Sequence, residues 1–238
     1  MTVATEDTNM FKNLSPGAIG IREISLPDAI ELARRTGFSG IDFSIGEAAD
    51  LADAHGVGYV RGLFQDAGIV PGQWGLPVAW NNEEQWTQDM TELPHLALLG
   101  RELGCTRTAT WCPSWSDERD YEENWTWHVA RFRPIAEVLM QHDCRLGIEF
   151  LGPKTLRSPH RYGFIHTLQE MMSLAAEIGT GNVGLLLDVW HLYTSGGSID
   201  DLDTITAKDI VTVHISDAPA GIPRDEQRDT IRCLPMET

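Results

Sequence analysis

The stretch "VGLLLDVWHLY", residues 183–193, runs an aliphatic segment straight into an aspartate and a histidine. Leu185, Leu186 and Leu187 in succession leave no polar face, so as a strand the segment is buried on both sides, which marks a parallel strand covered by helices. A strand of that kind has no use for a carboxylate unless something meets it. Asp188 ends the run, and His191 follows three residues later.

Working outward, short apolar runs alternate with longer helical patterns. Strands are expected at "GAIGI" (17–21), "GIDFSI" (40–45), "GIVPGQWGLP" (68–77), "CTRTATWC" (105–112), "CRLGIEFLG" (144–152), "VGLLLDVWHLY" and "DIVTVHISD" (209–217). Ser25 is placed to cap a helix with Pro27 in its first turn and Asp28 three positions on. A Gly-interrupted helical region ends near Gly68, Leu93, Leu96 and Leu99 mark a third helix, and a helix from about Asn124 to His142 should be kinked by Pro134. Phe164, Leu168, Met171, Ala175 and Ile178 recur at three- and four-residue spacing, a stripe that packs on a sheet. Repeated strand-helix units imply an α/β fold. A doubly wound sheet would announce a Gly-rich phosphate loop after its first strand, and "GAIGIREISL" has none, so seven evenly spaced units suit a TIM-type (β/α)8 barrel better. The expected organisation is an N-terminal extension over 1–15 and one barrel domain over 16–238, truncated after strand 7.

Composition narrows the partners. A formal charge of -17 repels phosphate backbones and anionic lipid surfaces, so no nucleic acid and no membrane are expected. No segment approaches the roughly 18 apolar residues of a membrane span, and "MTVATEDTNMFKN" lacks the apolar core of a signal peptide, which points to the cytoplasm. Cys105, Cys112, Cys144 and Cys233 form no C-x-x-C pair and imply neither a disulfide framework nor a cysteine-rich zinc site.

The polar residues in the strands carry the chemistry. In "RLGIEFLG", alternation sets Ile148 and Phe150 on one face and Glu149 on the other. Asp188 ends the next strand, and His214 interrupts the Val/Ile run of "IVTVHIS". Taken singly, each is more often a helix cap, a surface group or a satisfied core residue. Together they bring metal-ligand side chains from three strands to the end of the barrel where sites are built. One divalent ion meeting all three would offset the cost of burying them, and mixed oxygen and nitrogen ligands suit Mn2+, Mg2+, Co2+ or Zn2+. Trp74, Trp80, Trp111 and Trp115 lie at or past strand ends, where a ring could stack on sugar C–H faces, and Trp111 is the first of them to test as a substrate contact. The segment "GIPRDEQRDTIR" is expected to run over the mouth of the site.

"GIEFLGPKT", "GLLLDVWHLYTSGG" and "VHISDAPAG", in this order and spacing, resemble the sugar phosphate isomerase/epimerase superfamily of xylose isomerase-like TIM barrels. The resemblance implies metal ligation by Glu149, Asp188 and His214, with Glu149 also catalytic, and substrate contact by His191 and by an arginine after the seventh strand, for which Arg224 is the nearest candidate. It supplies no residue for the fourth ligand, a glutamate on an eighth strand. The implied function is a metal-dependent isomerase or epimerase of a sugar or sugar-like polyol ketone, working by enediolate proton transfer with one divalent ion. An inosose dehydratase-like lyase on the same metal site is an alternative. So is a non-catalytic barrel subunit, a homo-oligomer or a barrel completed by another chain. A phosphodiesterase of the endonuclease IV type ranks last, because it needs more metal ligands and a basic surface.

Overall fold

The computed structural model describes residues 10–238. Seven parallel strands form one sheet in chain order: β1 (Asn13–Leu14), β2 (Gly40–Phe43), β3 (Val70–Gly75), β4 (Arg107–Cys112), β5 (Arg145–Phe150), β6 (Val183–Asp188) and β7 (Ile210–His214). Each strand pairs with its sequence neighbours, and among the described residues β1 and β7 stand at the two edges without hydrogen bonds between them. A doubly wound sheet reverses its strand order at a switch point, whereas this one never does. The architecture is a TIM-barrel-like α/β fold, open along one seam.

The strand expected at 17–21 is not one. Pro16 adopts helical angles (φ -57, ψ -42) and Gly20 closes with φ +83, so Gly17–Ile19 curls into a single 3-10 turn. Asn13 and Leu14 instead pair with Gly40 and Ile41, which brings the first strand into the stretch expected as an N-terminal extension. Residues 1–9 of that stretch lie outside the described residues.

The helices are α1 (Leu26–Arg35), α2 (Ile45–His55), α3 (Val57–Ala67), α4 (Glu83–Glu102), α5 (Tyr121–Gln141), α6 (Lys154–Arg157), α7 (Leu168–Ile178) and α8 (Val189–Thr194). Ser25 caps α1 through Asp28 N–H, with Pro27 in the first turn. Gly56 (φ +87) separates α2 from α3, a backbone state open mainly to glycine. Capping boxes start α5 at Asp120/Glu123 and α7 at Thr167/Glu170. Pro134 leaves α5 continuous: the backbone bond it removes is offset by its neighbours Phe132, Ile135, Ala136 and Leu139, which are fully buried at roughly 1.5–3 kcal/mol for each large side chain. In α7, Leu168, Met171, Ala175 and Ile178 turn inward as the stripe predicts, joined by Leu174, while Phe164 is buried ahead of the helix. A two-residue antiparallel pairing of Trp115–Ser116 with Tyr162–Gly163 ties the loop after β4 to the loop after β5. Among the described residues, no helix is long and apolar enough to cross a membrane.

One buried histidine belongs to the core. His128 on α5 bonds Asn124 O through Nδ1 (2.7 Å) and sits against the rings of Trp80, Trp127, Phe132 and Phe164. Burial pushes it down to about 4. The unfolded chain therefore takes up a proton near pH 6.5 that the folded chain refuses until about pH 4, and stability falls as pH drops through that window. In His128→Phe, the slope of unfolding free energy against pH between 6 and 5 should flatten by about 1 kcal/mol per pH unit, measured by urea denaturation at stepped pH.

Candidate metal and substrate site

Glu149 is the penultimate residue of β5, Asp188 the last of β6 and His214 the last of β7, so three neighbouring strands deliver them to one end of the barrel. Asp188 is in register with His214, and Glu149 with Trp111 on β4. Register partners on parallel strands project to the same face of the sheet. Glu149 is 16% exposed in its side chain, and Asp188 and His191 are 2% exposed.

Asp188 uses its two oxygens differently. Oδ1 accepts from Trp190 N–H (2.8 Å) and His191 N–H (3.4 Å), capping α8, while Oδ2 accepts from Arg232 Nη1 at 2.6 Å. The cap role and the site role are held by one carboxylate, one oxygen each. Because the cap fixes the first turn of α8, it also fixes His191.

The ring of His191 is wedged between N–H donors. Gly152 N–H donates to Nδ1 (3.2 Å), and Arg232 Nη2 lies 3.0 Å from Nε2. Its Nε2 is also 3.5 Å from Asp229 Oδ1 and 4.0 Å from Glu149 Oε2. A neutral imidazole has one free lone pair to offer these donors and a protonated one has none. Burial, with Arg232 adding to it against the pull of Asp188, holds His191 down at about 4. His191 is therefore neutral at physiological pH.

The carboxylates diverge. Burial and the neighbouring charge of Asp188 push Glu149 well above the usual carboxylate range. Burial also pushes Asp188 upward, but Arg232, His191 and the Trp190 N–H together outweigh it and leave Asp188 below its ordinary value. Arg232 itself is raised: its burial is more than offset by Asp188 and Asp229. One guanidinium thus faces three carboxylates, Glu149, Asp188 and Asp229, in a largely buried cluster.

Ligand atoms of Glu149, Asp188 and His191 lie within 4.8 Å of one another, close enough to hold one ion. The fit is chemical as well as geometric, since two carboxylates and an imidazole suit a divalent cation and Glu149 stays raised in spite of Arg232. His214 stands just outside this trio, with Nδ1 3.8 Å from Glu149 Oε1. Its Nε2 meets Gln73 Nε2 at 3.0 Å, and Gln73 in turn donates to Asp42 through Nε2 and N–H (both 3.2 Å). Asn13 Nδ2 completes the chain to Asp42 at 2.5 Å. A polar thread therefore links β1, β2, β3 and β7 across the open seam, and burial raises Asp42.

Arg224 is outside this cluster, its guanidinium over the Tyr193 ring at 5.0 Å. Arg232, eight residues on in the same loop, is the arginine that enters it. It is gripped by Asp188, by Asp229 through side chain and carbonyl, by Ser216 Oγ (3.3 Å) and by the face of Trp190 (4.4 Å). Trp111 keeps 41% exposure and meets Trp80 edge-on at 5.6 Å. Asp229 and Arg232 left no periodic signal in a loop of mixed charge. Asp42 and Gln73 did: each is a polar residue at an inward position of a strand, the same signal that singles out Glu149.

Comparison with known proteins places the fold. The family model for xylose isomerase-like TIM barrels matches residues 30–230, and the chain belongs to that family. It superposes on a xylose isomerase domain protein from Alicyclobacillus acidocaldarius with a TM-score of 0.86 and 30% identity, covering 96% of this chain and 80% of that one. A solved IOLI protein with a bound zinc atom superposes at TM-score 0.76 and 20% identity over 96% of this chain and 80% of that chain, a likeness of fold. The inosose isomerase of Bacillus licheniformis is 27% identical over 97 residues, 40% of this chain and 32% of its own length, so the match spans about a third of that relative.

Gly152 tests the frame of the site. A Cβ there would meet His191 O at 2.1 Å, Ser195 N at 2.8 Å and Thr194 Oγ1 at 2.8 Å. Gly152→Ala should cost about 1–3 kcal/mol in urea unfolding, the range of core overpacking, with the first turn of α8 losing hydrogen-exchange protection.

Proposed function

We propose that this chain is a metal-dependent isomerase or epimerase of a sugar-like polyol ketone. The observation that carries the reading is the close trio of Glu149, Asp188 and His191 at the C-terminal ends of the strands, with His214 beside it. Glu149, Asp188 and either histidine would hold one divalent ion, Mn2+, Mg2+, Co2+ or Zn2+. When bound, such an ion polarises a carbonyl and acidifies the neighbouring C–H.

The chain's own residues do the rest. Glu149, in its ionised form, takes the proton from the carbon beside the carbonyl as the C–H electron pair moves toward the carbonyl oxygen. It delivers that proton to the former carbonyl carbon while the neighbouring hydroxyl gives up its proton to the former carbonyl oxygen, which is isomerisation; epimerisation would need a second proton donor on the opposite face. His191, neutral and fixed by Gly152, faces the same space and contacts a substrate oxygen. Trp111, in register with Glu149 and partly exposed, offers a flat wall for C–H faces. The partial identity to an inosose isomerase favours a cyclic polyol ketone over an open-chain ketose, and a dehydratase would begin with the same proton abstraction.

Purified protein supplied with Mn2+ should exchange a carbon-bound proton of an inosose or a ketose with D2O, read by NMR. Glu149→Gln should lower that exchange by about 10²–10⁴-fold, the range for loss of a general base. Asp188→Asn keeps an N-cap residue on α8 while removing the charge, and should abolish Mn2+ binding with the fold intact by circular dichroism. Absence of exchange across both substrate types would overturn the assignment.

A further inference from the structure

The cluster already contains a cation, and it is built in. Arg232 places Nη1 2.6 Å from Asp188 Oδ2 and Nη2 3.0 Å from His191 Nε2, on two of the three residues that make up the candidate ion site. Its position is not that of a loose surface side chain. Cys233, the next residue, is bridged to Asp217 by a pair of backbone bonds (2.9 and 3.0 Å), Ser216 Oγ accepts from Nη1, and Asp229 holds the guanidinium from the opposite side through both its side chain and its carbonyl. The planar group also lies on Trp190. A guanidinium held by two carboxylates and an aromatic face is positioned by its donor geometry as firmly as by charge.

The consequences follow from valence and charge. Asp188 Oδ1 is committed to two backbone N–H groups at the start of α8, so an ion approaching Asp188 must take Oδ2, the oxygen that Arg232 holds. The neutral His191 ring has one lone pair, so it cannot accept from Gly152 at Nδ1, accept from Arg232 at Nε2 and bind a metal together. A divalent ion a few ångströms from a guanidinium inside the barrel also meets direct repulsion in a medium that screens it weakly. We propose that Arg232 is the resident counter-cation of this cluster and binds it in alternation with a divalent ion, so that loading the site requires the 229–232 segment to give up Asp188 and His191. The proposal rests on the reading of Glu149, Asp188 and His191 as an ion site, and it adds a competitor internal to the chain. Asp229, 3.5 Å from His191 Nε2, gains a role as the anchor that keeps Arg232 in place and is left to reset it when the ion departs.

The test is a competition titration of Zn2+ against a chromogenic chelator with the whole 238-residue chain, comparing wild type, Arg232→Gln and Asp229→Asn. Arg232→Gln should bind Zn2+ at least tenfold more tightly than wild type, and Asp229→Asn, which keeps the arginine but loosens its grip, should fall between them. In wild type, Zn2+ should also lower hydrogen-exchange protection at residues 229–233. Equal or weaker Zn2+ affinity in Arg232→Gln overturns the proposal, as does unchanged protection of 229–233 in the Zn2+-loaded wild type. If Arg232→Gln does not fold, the Asp229→Asn comparison decides alone, with unchanged affinity counting against it. Asp188→Asn separates the two levels: Zn2+ binding lost in Asp188→Asn but not tightened in Arg232→Gln removes the competitor and keeps the ion site, whereas binding indifferent to Asp188 removes both.

Discussion

Two carboxylates inside a protein cannot both be ionised without a counter-charge, and Glu149 and Asp188 are held side by side in the barrel interior. Everything at this end of the molecule answers that constraint. Asp188 stays charged because backbone N–H groups and a guanidinium reach it, while at Glu149 burial and the charge of Asp188 outweigh the pull of Arg232 and push it toward its protonated form. The split leaves one carboxylate suited to holding a cation and its neighbour suited to exchanging a proton. It arises from placement on adjacent strands of one sheet.

Much of this was legible in the sequence because the fold writes it in periodicity. Strands buried on both faces and the stripe on α7 announced a parallel sheet under helices, and the interruptions at Glu149, Asp188 and His214 stood out against apolar runs. The first strand was obscured because "GAIGI" is apolar without alternation, and its Gly17–Ile19 portion is bracketed by Pro16 and Gly20, whose backbone angles favour a turn. Arg224 and Arg232 share a charged loop without periodicity, so nothing local distinguishes the one that stacks on Tyr193 from the one that enters the barrel. That choice is made by the Asp217–Cys233 bridge, a contact between residues sixteen apart, and pairings of that kind leave no imprint on spacing.

The open seam is handled by side chains. Where β1 and β7 share no backbone bonds, Asn13, Asp42, Gln73 and His214 run as a thread of polar contacts through the interior. Asp42 accepts only, so it turns the amide nitrogen of Gln73 toward itself, and the orientation of Gln73 then governs how His214 is met. His214 is held from behind by a fixed partner, an arrangement that orients imidazoles well in metal and proton-transfer sites.

Gly152 gives the site a mechanical property. The turn after β5 lies against the backbone of α8 with no side chain between them, main chain on main chain. The gap between Glu149 and the His191 ring is thus gauged by peptide units, which are stiff, rather than by packed side chains, which hop between rotamers. Repacking the surrounding core would leave that spacing nearly unchanged, so the donor set can keep its dimensions while the rest of the barrel breathes.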